Sequence, residues 1–274
     1  MINMQFNDVK IEKLFKKIDI DRDNISVFMQ KMHLSTDKEI LDVGCGPGSS
    51  SFFINKLYPG VKITGIDCES SFVNIANQYC KKNNIKNCIF KNGDCYSLPF
   101  ADSTFDICFS RNMFHHLSSP MKAINEMIRV TKSTGYIGIE SRDQGLTCIY
   151  PEPRHFSVYM KAEEKAKKIV SGDKYIGRKL YNLFITTECF KNIDVIKLNY
   201  DIVNPGREAL IEEMYSDFMY EENISNHIFV KTNMMSEKEI HEYFIDLENI
   251  VKNSNSYVSY GSFFVYGIVN KLNN

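Results

Sequence analysis

The chain has 274 residues, and at about 150 residues per domain one large domain with insertions competes with two small ones. Hydrophobic residues make up 43% and charged residues 24%, an ordinary globular balance that excludes a disordered, collagen-like or disulfide-scaffold chain. Lys and Arg number 33 against 34 Asp and Glu, so no global field draws a polyanion and an extended nucleic-acid partner is disfavoured.

Periodicity predicts strands and helices in alternation from residue 39 to 141. Glu39–Val43 is a short apolar strand that ends in glycines, and Ser49–Tyr58 repeats Phe52, Phe53 and Leu57 as a helix does. Val61–Ile66 reads as a second strand, Ser70–Lys82 as a helix with Phe72, Val73, Ile75, Ala76 and Tyr79 on one face, and Asn87–Lys91 as a third strand. Thr104–Ser110 is the fourth strand, Pro120–Thr131 a helix with Pro in its first turn, and Tyr136–Glu140 the fifth strand. Strands that alternate with helices pair in parallel through right-handed crossovers, which gives an open α/β doubly wound sheet.

Beyond residue 141 the rhythm breaks. Arg142–Pro153 is loop-like, Ser157–Val170 is a helix whose AEEKAKK run reads as a solvated face, and Tyr175–Phe190 is an amphipathic helix. Ile193–Ile202 is a sixth strand, residues 206–253 are mainly helical, and Tyr257–Val269 closes the chain as a seventh strand. The expected architecture is one seven-stranded Rossmann-like sheet with helical cap insertions. Residues 1–37 form an N-terminal helical lid, and 38–270 form the main domain with caps at about 142–174 and 204–256.

The eight cysteines form no CxxC pair and are expected as free thiols in a reducing compartment. The N-terminus offers no continuous apolar h-region, and the longest apolar stretches, such as Phe263–Val269, fall far short of the ~20 residues that span a bilayer. A cytoplasmic protein without a membrane span is the expectation. Its oligomeric state stays open.

The informative segment is Ile40-Leu41-Asp42-Val43-Gly44-Cys45-Gly46-Pro47-Gly48. A strand that feeds a glycine-rich turn and then a helix lets a ligand touch backbone that side chains would obstruct. The spacing is G-x-G-x-G, which departs from the G-x-G-x-x-G of a pyrophosphate site and lacks the Lys-Ser/Thr ending of a phosphate loop. Asp67, at the end of the second strand and 21 positions beyond Gly46, is placed to accept hydrogen bonds from both hydroxyls of a ribose. The competing reading of Asp67 is a cap for the helix that starts near Ser70. Asp94, just past the third strand, is placed to accept from an adenine amino group. Three polar stops at the carboxyl ends of successive parallel strands converge on the crevice where such folds bind ligands.

Together these segments resemble the class I S-adenosylmethionine-dependent methyltransferases, in their small-molecule branch. ILDVGCGPGSSS is similar to the family's first motif, GIDCES to its ribose-binding acidic motif, and NGDCYSLPF to its adenine motif. FDICFSRNMFHHL resembles the segment after the fourth strand, and AINEMIRVTKSTGYIGIE the closing helix and strand, although Ser133-Thr134-Gly135 stands where many relatives have Pro-Gly-Gly. The resemblance covers about residues 38–141. It implies S-adenosylmethionine as cofactor and S-adenosylhomocysteine as product. Gly44, Cys45 and Gly46 would pack on the methionine part, with Asp67 on the ribose, Asp94 and Cys95 beside the adenine, and Ser110 and Arg111 near the methionine end. Asp42 and Cys68 belong to the same cofactor set.

His115 and His116 follow the fourth strand at the lip facing the methyl group and are the candidate catalytic pair, His115 ahead, with cofactor contact or packing as the competing reading that the resemblance offers. Arg111 either contacts cofactor or pairs with a nearby carboxylate. No Asn/Asp-Pro-Pro-Tyr tetrapeptide and no Pro-Cys pair follows the fourth strand, which argues against the usual adenine-N6, glutamine-amide and cytosine-C5 methylations. Glu140 and Asp143 are weak candidates for holding Mg²⁺, and no metal is assigned. Asp173 reads as a helix cap, and Arg178 as the partner of an acid across the sheet. Met214, Tyr215, Phe218, Met219, Tyr220, Phe229, Met234 and Met235 read by helical spacing as core packing for the most part, and a cap built from them would still line an apolar pocket with Phe15, Phe28 and the loop Tyr150–Tyr159. The expected activity is methyl transfer to a small-molecule O, N or C acceptor. The alternatives are a methyltransferase for RNA or protein, and a non-catalytic methyltransferase-like subunit.

Overall fold

The computed structural model describes residues 24–169, 171–201 and 228–271. Phe15, Met214, Tyr215, Phe218, Met219 and Tyr220 lie outside these residues, as do most of the expected N-terminal lid and the first part of the second cap.

The strands are β1 (Glu39–Val43), β2 (Lys62–Asp67), β3 (Cys88–Asn92), β4 (Phe105–Arg111), β5 (Thr131–Arg142), β6 (Cys148–Tyr150), β7 (Phe190–Asp201) and β8 (Tyr257–Val269). The helices are α1 (24–31), α2 (Ser49–Leu57), α3 (Ser70–Lys82), α4 (Pro120–Val130), α5 (Phe156–Ile169), α6 (Ile176–Thr186), α7 (228–231) and α8 (Glu237–Lys252). In space the sheet runs β3-β2-β1-β4-β5-β8, with β6 and β7 also paired to β8. The pairs from β3 to β5 are parallel, and β8 runs antiparallel to β5, β6 and β7. The order reverses between β1 and β4, and in such sheets that switch point opens a crevice at the carboxyl ends of the strands.

The sheet has eight strands where seven were expected. β6 falls inside the stretch read as loop-like. It is three residues long, with Ile149 buried between exposed Cys148 and Tyr150, too short for alternation to register in the sequence. β5 starts before Tyr136 because Thr131 already pairs with Phe105, and the register then shifts so that Tyr136 faces Ile107. The bulge absorbs the Lys132-Ser133-Thr134-Gly135 turn.

Side chains that alternate along the central strands divide the core in two. Ile40, Ile63, Phe90, Ile107 and Phe109 face α1, α2 and α3. Leu41, Val43, Ile66, Cys108, Ile137 and Ile139 face α4 and α6. Phe28, expected over the acceptor pocket, lies in the first of these layers: its ring stacks on Phe264 at 3.9 Å and is 6.4 Å from Phe109. The apolar stripe Ile25, Phe28, Met29 and Met32 docks α1 on the sheet face, so Phe28 is core rather than roof. A third cluster stands apart, joining Tyr159, Ala162 and Ala166 of α5 to Phe229, Met235, Ile240, Tyr243, Phe244 and Leu247. All eight cysteines are free thiols. Among the described residues no helix is long and apolar enough to cross a membrane.

Candidate active site

The glycine turn leaves β1 in a left-handed path, with φ of +73° at Gly44, +53° at Gly46 and +88° at Gly48. Its amides anchor it to β2: Gly44 and Cys45 donate to the Ile66 carbonyl at 2.8 and 3.1 Å, and Gly46 donates to Asp67 Oδ2 at 2.8 Å. A Cβ on Gly44 would lie 2.5 Å from Met113 Sδ, whereas one on Gly46 would meet nothing within 4 Å. Gly44 is therefore needed for packing, and Gly46 presents bare backbone to open space. Asp42 is 2% exposed and accepts the Ser51 hydroxyl at 2.7 Å, which fastens α2 to β1. Burial pushes its carboxyl up to about 6, against the pull of Ser51 and Arg111. The Cys45 thiol is buried, and burial raises its pKa.

Asp67 also accepts the Glu69 amide at 2.9 Å through Oδ1. It does not cap α3; that position belongs to Glu69, whose carboxylate takes the Ser71 amide at 3.2 Å. The Asn92 amide group donates to the carbonyls of Asp67 and Cys68 at 3.0 and 2.9 Å, and Gly93 donates to the Asp67 carbonyl at 3.0 Å. Asp94 closes the next turn by accepting the Tyr96 amide at 2.8 Å. These bonds bring Asp67, Cys68, Asp94 and Cys95 to one lip at the ends of β2 and β3. Cys68 is exposed and Cys95 half-buried. Burial, with the charge of Asp94, pushes the Cys95 thiol up to about 12, so it stays protonated at neutral pH.

At the end of β4, Ser110 is buried and its hydroxyl donates to the Val43 carbonyl at 2.8 Å, tying β4 to β1. Arg111 pairs with Glu140 at 2.5 Å and reaches Ser50 Oγ at 3.4 Å. Glu140 also accepts from Ser262 at 2.6 Å and Tyr200 at 3.2 Å. Asp143 is taken by the Arg178 guanidinium at 2.5 Å and the Gly145 amide at 3.0 Å. Both acids weighed as Mg²⁺ holders thus carry cation partners, and among the described residues no group of three or more His, Cys, Asp or Glu is arranged to hold a metal. Asp173 accepts the Tyr175 amide at 2.8 Å, beside the start of α6.

The His pair sits on a 3₁₀ turn, Phe114–His116, pinned by the fully buried Phe114. His115 is half-buried, His116 exposed, and the ring centroids are 4.0 Å apart. The Asp173 amide donates to the His115 carbonyl at 3.1 Å, and Lys167 Nζ lies 2.8 Å from His116 Nδ1. Desolvation of the packed rings, which outweighs the exposed edge of His116, holds His116 down to about 4 with help from the charges of Lys167 and Lys174, and holds His115 well below the usual imidazole range with help from His116 and the same lysines. Both rings are therefore neutral at pH 7, with a lone pair able to take a hydrogen bond or a proton.

Several polar neighbours escape sequence reasoning. Ser49 Oγ, Asn112 Oδ1, His115 Nδ1, Ser141 Oγ and Gln144 Oε1 are buried without a hydrogen-bond partner. A buried polar atom left unpaired costs about 1–3 kcal/mol, so their gathering along the carboxyl edge of the sheet marks a place for ordered water or a ligand. Ser49 directly follows the glycine turn, and Asn112 precedes the Met113 that packs on Gly44; with the open side of Gly46 they fit the polar end of a bound cofactor. On α5, Glu163 bonds Gln144 Nε2 and Lys174 Nζ, so the AEEKAKK run is not wholly a solvated face. Its signal in sequence is the buried Ala162/Ala166 pair, four residues apart, which turns Glu163 and Lys167 toward the strand ends.

A family model described as a methyltransferase domain matches residues 34–244. The uncharacterized methyltransferase C1B3.06c of Schizosaccharomyces pombe is 34% identical over 146 residues, 51% of this chain and 52% of that protein. Phosphoethanolamine N-methyltransferase of Plasmodium falciparum is 32% identical over 109 residues, 39% of this chain and 40% of that protein. The chain spans about half the length of the curated relatives it matches, or less. The solved structure of Haemonchus contortus phosphoethanolamine N-methyltransferase 2 in complex with S-adenosyl-L-methionine aligns with a TM-score of 0.61 at 15% identity, over 98% of this chain and 59% of that one. With the glycine turn, the Asp67 and Asp94 lips and the parallel strands β1 to β5 all inside the matched span, the chain belongs to the methyltransferase-domain family, on the Rossmann-like sheet of the class I S-adenosylmethionine-dependent methyltransferases.

Proposed function

We propose that this chain transfers the methyl group of S-adenosylmethionine to a small-molecule acceptor. The observation that carries the reading is the bare backbone at Gly46, open on one side and bonded to Asp67 on the other. Asp67 keeps carboxylate lone pairs for a ribose beyond those given to Gly46 and Glu69. Asp94 and Cys95 border the adenine, Cys68 stands at the outer lip, and Ser49 and Asn112 meet the methionine end. Asp42, Ser110 and Arg111 act one step back: their bonds to Ser51, Val43 and Glu140 hold the turn and strand ends in place.

When bound, the cofactor supplies a methyl group on a positively charged sulfur. The chain supplies orientation, exclusion of water and a proton acceptor. His115, with Nδ1 buried and unpaired, is placed to take the acceptor's proton as charge develops on the acceptor, against the burial that weakens this imidazole as a base. His116, held by Lys167, keeps the pair in place. The described part of the expected caps, α5 with its α8 partner, covers this edge, with Lys167 reaching His116 and Glu163 reaching Gln144. A roofed crevice fits a small acceptor better than a folded polymer, and the phosphoethanolamine relative is named for a small acceptor.

Titration calorimetry tests the proposal. S-adenosylhomocysteine is expected to bind one site per chain, with at least tenfold weaker affinity in Asp67→Ala. Absence of binding, or equal affinity in the variant, overturns it.

A further inference from the structure

The unpaired atoms on the acceptor side do not scatter. The segment after α5 bridges two strand-end turns: the Asp173 amide donates to the His115 carbonyl at 3.1 Å, and the Gln144 amide donates to the Lys174 carbonyl at 2.9 Å. Close approach at Gly172 allows this, because a Cβ there would fall 2.6 Å from the His115 carbonyl. Gly177 packs in the same way, its missing Cβ 2.8 Å from the Ser141 carbonyl. One strap therefore gathers His115, Ser141 and Gln144. Ser141 is 0% and Gln144 9% exposed, and Gln144 Nε2 is already engaged by Glu163, which leaves its Oε1 as the free end.

We propose that the methyl acceptor is a nitrogen or oxygen nucleophile carrying its own N–H or O–H, and that His115 Nδ1, Ser141 Oγ and Gln144 Oε1 receive those donors. This rests on the methyl-transfer reading above and narrows it. Gln144 Oε1 can only accept, a bare imidazole nitrogen accepts, and a serine hydroxyl accepts as readily as it donates. A carbon acceptor such as an alkene brings no donor. It would leave each of these atoms desolvated and unpaired. In the reaction the acceptor's lone pair forms the new bond to the methyl carbon as the carbon–sulfur bond breaks. That electron pair goes to sulfur and cancels its charge, and the acceptor's proton passes to His115 Nδ1.

Matched probes of one shape test this: phenol and aniline, which carry donors, against toluene, which carries none. Each is titrated into the full chain, with and without S-adenosylhomocysteine, while nitrogen NMR follows His115. Phenol and aniline are expected to shift the His115 Nδ1 resonance, toluene not. Ser141→Ala is expected to weaken phenol binding at least threefold and to leave the thermal midpoint unchanged or higher, since no bond within the fold is lost. Equal response to toluene, no response to any probe, or a midpoint several degrees lower in Ser141→Ala overturns the proposal. Loss of S-adenosylhomocysteine binding instead overturns the methyl-transfer reading, whatever the probes do, so the two failures are told apart.

Discussion

The two lips of the crevice are built differently. At the ends of β1, β2 and β3 the polar groups are mostly satisfied by uncharged N–H donors: Gly46 on Asp67, Asn92 on the Asp67 and Cys68 carbonyls, and Tyr96 on Asp94. At the ends of β4 and β5 the contacts are long-range and charged, Arg111 on Glu140, Arg178 on Asp143 and Lys167 on His116, and buried atoms are left over. The first lip is nearly complete in itself, with Ser49 Oγ as its one buried and unpaired polar atom among the described residues. The second is finished by whatever lies against it.

The largest effect that tests this contrast is expected at the joint between the lips. Glu140→Ala removes the shared acceptor of Arg111, Tyr200 and Ser262 and takes the carboxylate from a mostly buried guanidinium, so urea unfolding should show a loss of about 3–5 kcal/mol. A loss below about 1 kcal/mol would mean the two lips are not coupled there. Next is Tyr159→Ala in the cap, where the ring stacks on Tyr243 at 4.0 Å and meets Phe244 edge-on. Truncation of a buried aromatic costs about 3–5 kcal/mol if the whole chain feels it. If the α5 and α8 cluster is a separate unit, hydrogen exchange should instead speed up in α8 alone while the β1–β4 amides keep their protection.

The smallest effect concerns pH. A histidine whose folded pKa is depressed is fully compatible with the fold above the unfolded value near 6.5, and stability is lost as pH falls below it, because the unfolded chain takes up the proton first. Chemical denaturation should therefore show stability falling between pH 6.5 and about 4, the value to which His116 is held. Asp42, raised to about 6, acts with the opposite sign over part of that window. His116→Asn should flatten the slope and Asp42→Asn should steepen it; identical slopes in all three proteins would contradict the electrostatic picture of the second lip.

How much was legible in the sequence follows the same division. Gly44, Gly46, Asp67 and Asp94 declared themselves because backbone turns at strand ends have local chemistry: a left-handed φ asks for glycine, and a carboxylate beside a turn takes amides. Gln144, Ser141 and Glu163 did not, since their meaning depends on a strap folded back from residues 171–177. β6 was too short to alternate. Phe28 looked like a roof residue by type, and only the docking of α1 on the sheet made it core. Lys167 was one charge in a charged run until the burial of Ala162 and Ala166 set the helix's orientation.

The most direct test of the central claim, a largely finished cofactor lip beside a less finished acceptor lip, is a calorimetric comparison of two variants. S-adenosylhomocysteine affinity should drop at least tenfold in Asp67→Ala and stay within about twofold of the parent in Ser141→Ala. Equal losses in both, or none in Asp67→Ala, would contradict it.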